Sequence, residues 1–373
     1  MVTPRRLPEA AVPAYTPAPL QGIGAARYRC EADVAPGLET IAQGELRHLL
    51  GWGDDPDGRA PRRGIIPFGH NGDLAELLRL RTVLSAYLIQ RFPVPRPRAL
   101  LGDQHFRTLL HRIDTVRGLH VPGTFGTLYI SAAGSESSVL VRLKEAIAHA
   151  TGLTLVPADA HEGDLHLRFR RPPDGEEGWE ALIRLSPRPL GARPWRVCNR
   201  EGALNATVAH AMALLTNPDP RDHVLNLGSG SGTLLIERAI CAPAARLIGC
   251  DLSAEALACA RANVAAADLA DAIELRQEDA RALDLPDASI DVLCADLPFG
   301  HLVGSHQDNL ALYPAILREA ARVARRDAPF VLITHEVRLM EGLLATAPEW
   351  AIDEVLHLTL GGLHPRIFVL HRR

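Results

Sequence analysis

The sequence predicts an α/β protein whose C-terminal half, from residue 202, forms a doubly wound parallel sheet preceded by α+β units. Two observations predict this class. From Gly202 onward, apolar strand-like runs alternate with helix-like segments, which is typical of parallel strands joined by crossover helices. Within residues 25–187, by contrast, helical and strand patterns are mixed without that alternation.

Length and composition favour a globular protein of several domains. The chain has 373 residues, of which 47% are hydrophobic and 23% charged. No apolar run approaches the roughly 18 residues that a membrane span needs. The first residues are rich in proline and alanine and lack the apolar region of a secretory signal. We therefore expect a flexible arm over residues 1–24, a cytoplasmic protein and no membrane partner.

The six cysteines give no sign of a metal site. None of them forms a CxxC pair, which speaks against a zinc ribbon and a redox dithiol. Several lie in apolar runs, where we expect buried free thiols in a reducing compartment. No metal ligand set is predicted.

Charge is distributed unevenly along the chain. The formal net charge of −4 combines about +5 in residues 1–200 with about −9 in residues 201–373. Eight arginines lie between Arg59 and Arg98, with only Asp73 and Glu76 opposing them. Such a division suggests that the first half meets a polyanion. The alternative is a solvated surface in an arginine-rich chain whose only lysine is Lys144.

The first half divides into two α+β units at the prolines and arginines of "PRPR". In residues 25–100 the pattern predicts a strand, a helix over "GLETIAQGELRHLLG", a strand, a helix over "DLAELLRLRT" and a strand. Residues 101–187 begin with a helix and continue with mixed strands and one further helix. Residues 188–201 contain two prolines and no clear period, so they predict a linker.

Four successive strands of the C-terminal half, residues 202–373, carry glycines or acids at their ends. "VLNLGSGSGT" places Gly228, Gly230 and Gly232 between a strand and a helix, where backbone N–H groups face a ligand. Asp251 ends the next strand, where an acid can accept from ribose hydroxyls. Glu278 and Asp279 end the third strand and can accept from an adenine amino group, and Ala280 offers an N–H.

Each of these features has a simpler explanation by itself. A glycine loop is shared by nicotinamide, flavin and S-adenosylmethionine binders, and an acid before a helix is often an N-cap. Asp251 precedes Leu-Ser and a helix, so the cap is a serious alternative there. All four strand ends meet at one edge of an open parallel sheet, however, and ligands bind at that edge.

The fourth strand ends in "ADLPFG", which predicts chemistry on an amino group. A nucleobase amino group is a poor nucleophile because its lone pair is delocalised. Asp296 and the carbonyl of Pro298 could accept its two N–H groups, and Phe299 could stack on the base. Asp296 would also accept the proton released on methyl transfer from a sulfonium. The alternative is an ordinary turn with Phe299 in the core.

At this point the chain resembles the THUMP-domain S-adenosylmethionine-dependent RNA methyltransferases, particularly those that form N2-methylguanosine in tRNA. The resemblance covers most of residues 25–373. It is strongest in "DLPFGHLVGSHQDNLALYPAILREAARV", and "GSGTLLIE", "GALNATVAHAM" and "ADVAPGLETIAQGEL" add to it. The matching residues in the first of these are Asp296, Pro298, Phe299, Gly300, Gly304, Ser305, Asn309, Tyr313, Glu319, Arg322 and Val323.

The resemblance implies a Rossmann-like class I methyltransferase domain preceded by ferredoxin-like (25–100) and THUMP (101–187) domains. It implies S-adenosyl-L-methionine as cofactor and tRNA as partner. The target would be a guanosine of the acceptor stem that is flipped into the site, and the enzyme would be a monomer. The catalytic residues would be Asp296, Pro298 and Phe299. The cofactor-binding residues would be Asn205, Gly228, Gly230, Gly232, Thr233, Asp251, Leu252, Asp279, Ala280 and Asp296.

Two departures from the family pattern accompany the resemblance. Asn226 and Leu227 stand where the family has Asp-Pro, and His301 and Leu302 follow the motif where the family has a basic residue. The competing interpretations are a ribosomal RNA or DNA amino-methyltransferase and a non-catalytic RNA-binding protein with a degenerate methyltransferase fold. A nicotinamide dehydrogenase could share the glycine loop but would not need Asp-Leu-Pro-Phe.

Overall fold

The computed structural model describes residues 27–50, 58–134, 137–160, 162–299 and 305–373. The predicted arm over residues 1–24 lies outside the described residues, as do Gly300, His301, Leu302 and Gly304. The described chain forms two seven-stranded sheets with their helices. No helix in the described part of the chain is long and apolar enough to cross a membrane.

The front sheet joins the two predicted α+β units. Its strands follow the order β2-β1-β3-β7-β6-β4-β5. They are β1 (Tyr28–Val34), β2 (Ile65–His70), β3 (Val83–Phe92), β4 (Thr127–Ala132), β5 (Thr154–Leu155), β6 (Leu165–Arg170) and β7 (Trp179–Arg184). The helices are α1 (Glu39–Leu50), α2 (Asp103–Arg117) and α3 (Ser138–Thr151). Because β3 pairs with β7, residues 25–100 and 101–187 share one sheet and one hydrophobic core.

The stretch "DLAELLRLRT", predicted to be an α-helix, forms only a short 3₁₀-helix over Leu74–Arg79. Glu45 of α1 accepts hydrogen bonds from the backbone N–H groups of Arg81 at 2.7 Å and Thr82 at 2.8 Å. Because these N–H groups bond Glu45, they cannot donate to carbonyls of a preceding helical turn. The helix ends, and the chain continues into β3. A tertiary contact therefore overrides the local helical pattern.

The second sheet confirms the predicted doubly wound arrangement. Its order is β10-β9-β8-β11-β12-β14-β13, with β8 to β12 parallel and β14 antiparallel to both its neighbours. The strands are β8 (His223–Leu227), β9 (Arg246–Asp251), β10 (Ile273–Gln277), β11 (Val292–Asp296), β12 (Pro329–Thr334), β13 (Trp350–His357) and β14 (Arg366–Arg372). The terminal β13–β14 hairpin is not among the elements that we predict from sequence.

Helices cover both faces of this sheet. They are α4 (Ala206–Leu215), α5 (Thr233–Cys241), α6 (Ala254–Ala266), α7 (His306–Val323) and α8 (Val337–Leu344). Alternate residues of each strand enter opposite cores, so Leu225 packs with α7 while Val224 packs with α4 and α5. Leu38, the residue before α1, lies in the second of these cores and so ties the front half to the sheet.

A buried ionic cluster forms the joint between the two halves. Glu237 of α5 is fully buried and accepts hydrogen bonds from Arg193 Nε at 2.7 Å and His210 Nδ1 at 2.9 Å. Arg81 of the front half lies 3.5 Å from the same carboxylate, and its carbonyl accepts from Arg193 at 2.7 Å. Burial raises the pKa of Glu237, but the His210 and Arg193 bonds outweigh it and leave that pKa lowered. The predicted linker is therefore a packed connection.

Two cysteines differ from the expectation of free thiols. Cys198 of the linker and Cys259 of α6 form a disulfide, with their Cα atoms 5.4 Å apart. The expectation is wrong for this pair because the linker packs back onto α6, which the sequence pattern does not show. Cys30, Cys241, Cys250 and Cys294 are free, and all but the partly buried Cys241 are buried.

Arg193→Ala should destabilise the protein strongly, because it leaves the Glu237 carboxylate buried beside fewer positive partners. Breaking a buried pair in this way costs about 3 kcal/mol of unfolding free energy or more. Denaturant unfolding of the whole chain measures it. The matched control is Arg221→Ala, whose partner Asp219 is exposed and whose loss should change little. Equal effects of the two changes would contradict the role of the cluster as a joint.

Candidate active site

The carboxyl ends of four parallel strands lie side by side at one edge of the second sheet. The strands stand in the order β10-β9-β8-β11, so the glycine loop after β8 lies between the acids that follow β9 and β11. A Cβ placed on Gly228 would lie 4.0 Å from the carbonyl oxygen of Asp296. The structure thus brings together the loop and the Asp296 strand end, as the sequence predicts.

The three glycines of the loop serve different purposes. All have positive φ, of 65° at Gly228, 54° at Gly230 and 81° at Gly232, where side chains are strained. A Cβ on Gly232 would lie 3.3 Å from the Ala260 Cβ, so this glycine also allows α5 to approach α6. A Cβ on Gly230 would meet nothing within 4 Å. The exposed surface of the loop is therefore at Gly228 and Gly230, and Gly232 is a packing position.

Asp251 fastens the loop and keeps acceptors available. Its Oδ2 accepts the Gly230 N–H at 2.8 Å and its Oδ1 accepts the Ser253 N–H at 2.9 Å. Ser253 itself caps α6, with its hydroxyl accepting from Ala256 at 3.1 Å, so Asp251 is not the helix N-cap. A carboxylate has about four acceptor positions, and two remain here for hydroxyl groups. Leu252 beside it is 64% exposed, a large apolar surface next to the loop.

Asp279 differs from the expected adenine acceptor. Arg281 contacts both of its oxygens, with Nε to Oδ1 at 2.9 Å and Nη2 to Oδ2 at 2.6 Å, and the Arg281 backbone N–H adds a third donor. The Arg281 bond lowers the pKa of Asp279. This acceptor is saturated in the structure, whereas the neighbouring Glu278 side chain accepts, among the described residues, from Arg276 alone, at 3.4 Å. No acceptor for the Ala280 N–H is present among the described residues.

Two other predicted cofactor residues are engaged by the protein. The Asn205 side chain caps α4, and its Oδ1 accepts from the Thr207 N–H at 2.9 Å and hydroxyl at 2.8 Å. The Thr233 hydroxyl accepts from Arg196 at 2.8 Å. Both side-chain oxygens are therefore already bonded within the protein, although Asn205 as a whole is exposed.

Sequence reasoning missed two side chains that hold the loop in place. Arg196 of the linker joins the Leu204 carbonyl to Thr233. Asn263 of α6 is fully buried, donates to the carbonyls of Ser231 and Cys198, and accepts from the Cys198 N–H. The signal for Asn263 was present, since it is a polar residue on the apolar face of an alanine-rich helix.

Asp296 is a carboxylate with no donor among the described residues. It is partly buried at the end of β11, and no hydrogen bond from another described residue reaches its side chain. Burial raises its pKa from the ordinary 3.8 to about 7. A group with this pKa can accept a proton near neutral pH.

The Pro298 carbonyl is not the second acceptor that we expected. It accepts from the Tyr313 hydroxyl at 2.6 Å and from Asn309 Nδ2 at 3.0 Å, so both of its lone pairs are used. Thr334 lies 2.7 Å from the same hydroxyl and donates to it, since the tyrosine proton goes to Pro298. Pro298 therefore fixes the chain after Asp296, and that part of the prediction is wrong.

Phe299 is neither fully buried in the core nor fully exposed for stacking on a base. Its ring is partly buried, packs against the core formed with α4 and α5, and lies 6.0 Å from the His335 ring at an interplanar angle of 33°. Part of the ring is therefore exposed, in the turn that follows β11.

The chain is similar to known methyltransferases. Residues 193–366 match the family described as "UPF0020: RMKL-like, methyltransferase domain". A Thermus thermophilus protein named "tRNA (guanine(6)-N2)-methyltransferase" is 29% identical over 92% of this chain and 99% of its own. A mouse "tRNA (guanine(6)-N(2))-methyltransferase THUMP3" is 31% identical over 45% of this chain, which spans only 36% of that relative.

Two solved structures align with nearly the whole chain. TrmN from Thermus thermophilus aligns with a TM-score of 0.69 at 26% identity, covering 92% of this chain and 99% of its own. SMU.472, titled a putative methyltransferase complexed with SAH, aligns with a TM-score of 0.66 at 15% identity, covering 93% of this chain and 98% of its own, and shows the fold alone. Residues 193–366 are therefore similar to a methyltransferase domain, and the chain shares with TrmN the class I methyltransferase fold that the sequence predicts.

Proposed function

We propose that the protein transfers a methyl group from S-adenosylmethionine to the exocyclic N2 amino group of a guanosine in tRNA. The observation that carries the proposal is Asp296, a carboxylate with no described donor and a pKa of about 7 beside an exposed glycine loop. The names of the bacterial and mouse relatives support the base, the atom and the RNA. We place the target in the acceptor stem and the enzyme, as a monomer, in the cytoplasm.

The crevice has the groups that S-adenosylmethionine requires. Gly228 and Gly230 leave open space over the loop, and the remaining acceptor positions of Asp251 suit ribose hydroxyls. Leu252 would cover one face of an adenine ring, and the Ala280 N–H would donate to its edge. When bound, the cofactor supplies an electrophilic methyl group on a sulfonium.

Asp296 would direct the amino group of the guanine towards that methyl group. Its carboxylate accepts one N–H, and the Leu297 carbonyl accepts the other, since no donor to it is present among the described residues. Two acceptors in these positions aim the nitrogen lone pair at the methyl carbon. Asp296 then takes the proton that the nitrogen loses on methylation.

The front half would bind the RNA by its shape and backbone. Of the eight arginines between Arg59 and Arg98, three are held by buried acids and five are exposed. Arg59 and Arg91 contact Glu180, and Arg81 contacts Glu237. The exposed ones are Arg62, Arg63, Arg79, Arg96 and Arg98. The number of arginines available for phosphates is therefore smaller than the sequence suggests.

Asp251→Ala should weaken binding of S-adenosylhomocysteine by about 1–3 kcal/mol, since ribose hydroxyls and the Gly230 N–H lose their acceptor. Calorimetry on the whole chain measures the affinity. The control is Asp284→Ala, an exposed acid in the loop after β10. An affinity equal to that of the control, at an unchanged unfolding midpoint, would remove Asp251 from the site.

Asp296→Asn should lower single-turnover methyl transfer by a factor on the order of 10²–10⁴, because the amide cannot take a proton. For the unaltered protein, the rate should rise with pH through about 7 and then level off, since only the ionised carboxylate acts as base. The variant should lose this pH dependence, with S-adenosylhomocysteine affinity unchanged. A variant as fast as the unaltered protein would exclude Asp296 as the base.

The same variant should also be more stable than the unaltered protein at pH 8. Burial raises the pKa of Asp296 to about 7 in the folded state, so the unfolded state ionises first as the pH rises from about 4. The free energy of unfolding therefore falls as the pH rises from about 4 to about 7, and above pH 7 it stays at the lower value. The gain of the variant should be largest at pH 8 and shrink towards pH 5. Thermal unfolding at both pH values tests this, and a less stable variant at pH 8 would contradict it.

Phe299→Ala should weaken productive base positioning by about 1–3 kcal/mol, which is what stacking contributes per base. Single-turnover transfer to tRNA, cofactor affinity and the unfolding midpoint separate the possibilities, with Phe299→Tyr as the conservative control. Loss of transfer with cofactor affinity and stability retained supports stacking. A large fall in the midpoint together with all activities would assign Phe299 to the core instead.

Nucleoside mass spectrometry of RNA from a deletion strain tests the proposal as a whole. Loss of N2-methylguanosine from the tRNA fraction alone is the expected result. Its loss from ribosomal RNA, or of a methylated amino base from DNA, would favour the competing enzyme classes. No change in any fraction, with no transfer in vitro, would favour a non-catalytic RNA-binding protein.

A further inference from the structure

A second cleft lies where the front half meets the methyltransferase domain. It has a volume of about 480 Å³ and is separate from the glycine loop. Arg63 enters it from the front half, and α8 and the β13–β14 turn supply the other walls. Its charged and titratable lining residues are Arg63, Arg338, Glu341, His357, His364 and Arg366.

The cleft opens at the same edge of the sheet as Asp296. Asp296 pairs with Ile333 on β12, and the next residue, Thr334, pairs with Arg366 on β14. Neighbouring strands are about 4.8 Å apart, so the backbones of Asp296 and Arg366 are separated by about 10 Å. That is a distance that adjoining nucleotides of one RNA strand can cover.

The charge in the cleft is positive and only partly neutralised. Glu341 forms an ion pair with Arg366. Arg338 is exposed and has no ion-pair partner among the described residues, and Arg63 donates to the neutral Thr359 hydroxyl at 2.5 Å. Val337 and Arg338 are also the first residues of α8, whose N-cap Glu336 makes no side-chain capping bond. Uncapped N–H groups at the positive end of a helix add to the attraction for an anion.

We propose that this cleft binds a backbone phosphate of the RNA next to the nucleotide that is methylated. The proposal rests on the proposed function for the identity of the RNA. Guanidinium groups present paired donors that match phosphate oxygens. Among the residues that the structure describes, no aromatic ring of Phe, Tyr or Trp lines the cleft to stack on a base, so its chemistry suits the backbone rather than a bound nucleoside.

A phosphate held here would fix which base reaches Asp296. Arg63 and Arg338 belong to different halves of the protein, so the phosphate would be clamped between the RNA-binding part and the methyltransferase domain. It would also place positive charge near the base pocket, in a chain that has His301 and Leu302 rather than a basic residue after its Asp-Leu-Pro-Phe-Gly motif.

Arg338→Gln tests the proposal because this side chain has no described ion-pair partner to lose. The matched control is Arg326→Gln, an exposed arginine just before β12, at the opposite edge of the sheet. Binding of tRNA to the whole chain is measured at several salt concentrations. The slope of log affinity against log salt should fall by about 1 for Arg338→Gln and stay unchanged for the control. S-adenosylhomocysteine affinity and the unfolding midpoint should not change in either variant.

Phosphate ethylation interference locates the contact. With the unaltered protein, ethylation of one or two phosphates beside the methylated guanosine should prevent binding, and Arg338→Gln should no longer respond at one of them. Identical interference patterns, or a salt slope equal to that of the control, would overturn the proposal. Both measurements are of binding, so they remain informative if mass spectrometry assigns the methyl group to another base or atom.

Discussion

The central position of β11 is the constraint on which the site depends. This strand is hydrogen-bonded to β8 on one side and β12 on the other, and its first four residues are buried. Its fifth residue, Asp296, is still paired with Ile333 of β12, so its backbone is held at the partly buried end of the strand. A carboxylate that would otherwise be well hydrated is thus held with little water and no described donor, and its pKa rises to about 7. Strand pairing maintains a chemical state that the side chain alone would not adopt.

A second constraint acts just beyond the strand. Tyr313 and Asn309 lie one helical turn apart on α7 and both donate to the Pro298 carbonyl. Tyr313 is fully buried and is itself bonded to Thr334 at the end of β12. The peptide after Asp296 is therefore fixed from two elements at once. Such support accounts for a Pro-Phe turn that can present a carboxylate and an aromatic ring in a constant geometry.

The sequence was sufficient for much of this architecture but not for all of it. Alternation of apolar runs predicted the parallel sheet, and the order of strand ends predicted that Gly228, Asp251 and Asp296 would meet. Those predictions succeed because parallel strands place their carboxyl ends at one edge whatever the loops do. The hydrogen-bond partners of the Pro298 carbonyl, the saturation of Asp279 by Arg281 and the short helix at Leu74 were not predictable. Each depends on side chains that local pattern does not bring together.

The distribution of charge also cannot be interpreted from sequence alone, because the sequence does not show which arginines pair with acids. The net charges of about +5 and −9 suggest a basic RNA-binding half and an acidic catalytic half. In the structure, Glu180 engages Arg59, Arg91 and Arg170, so several of the front arginines hold the protein together. Arginines that are oriented but have no acid partner in the described part of the chain, such as Arg63, lie instead where the two halves meet. Buried pairs fix the geometry of the joint, and other positive groups lie at its surface. Which arginines stay without an acid partner is therefore decided by where the acids lie, and not by the number of arginines in each half.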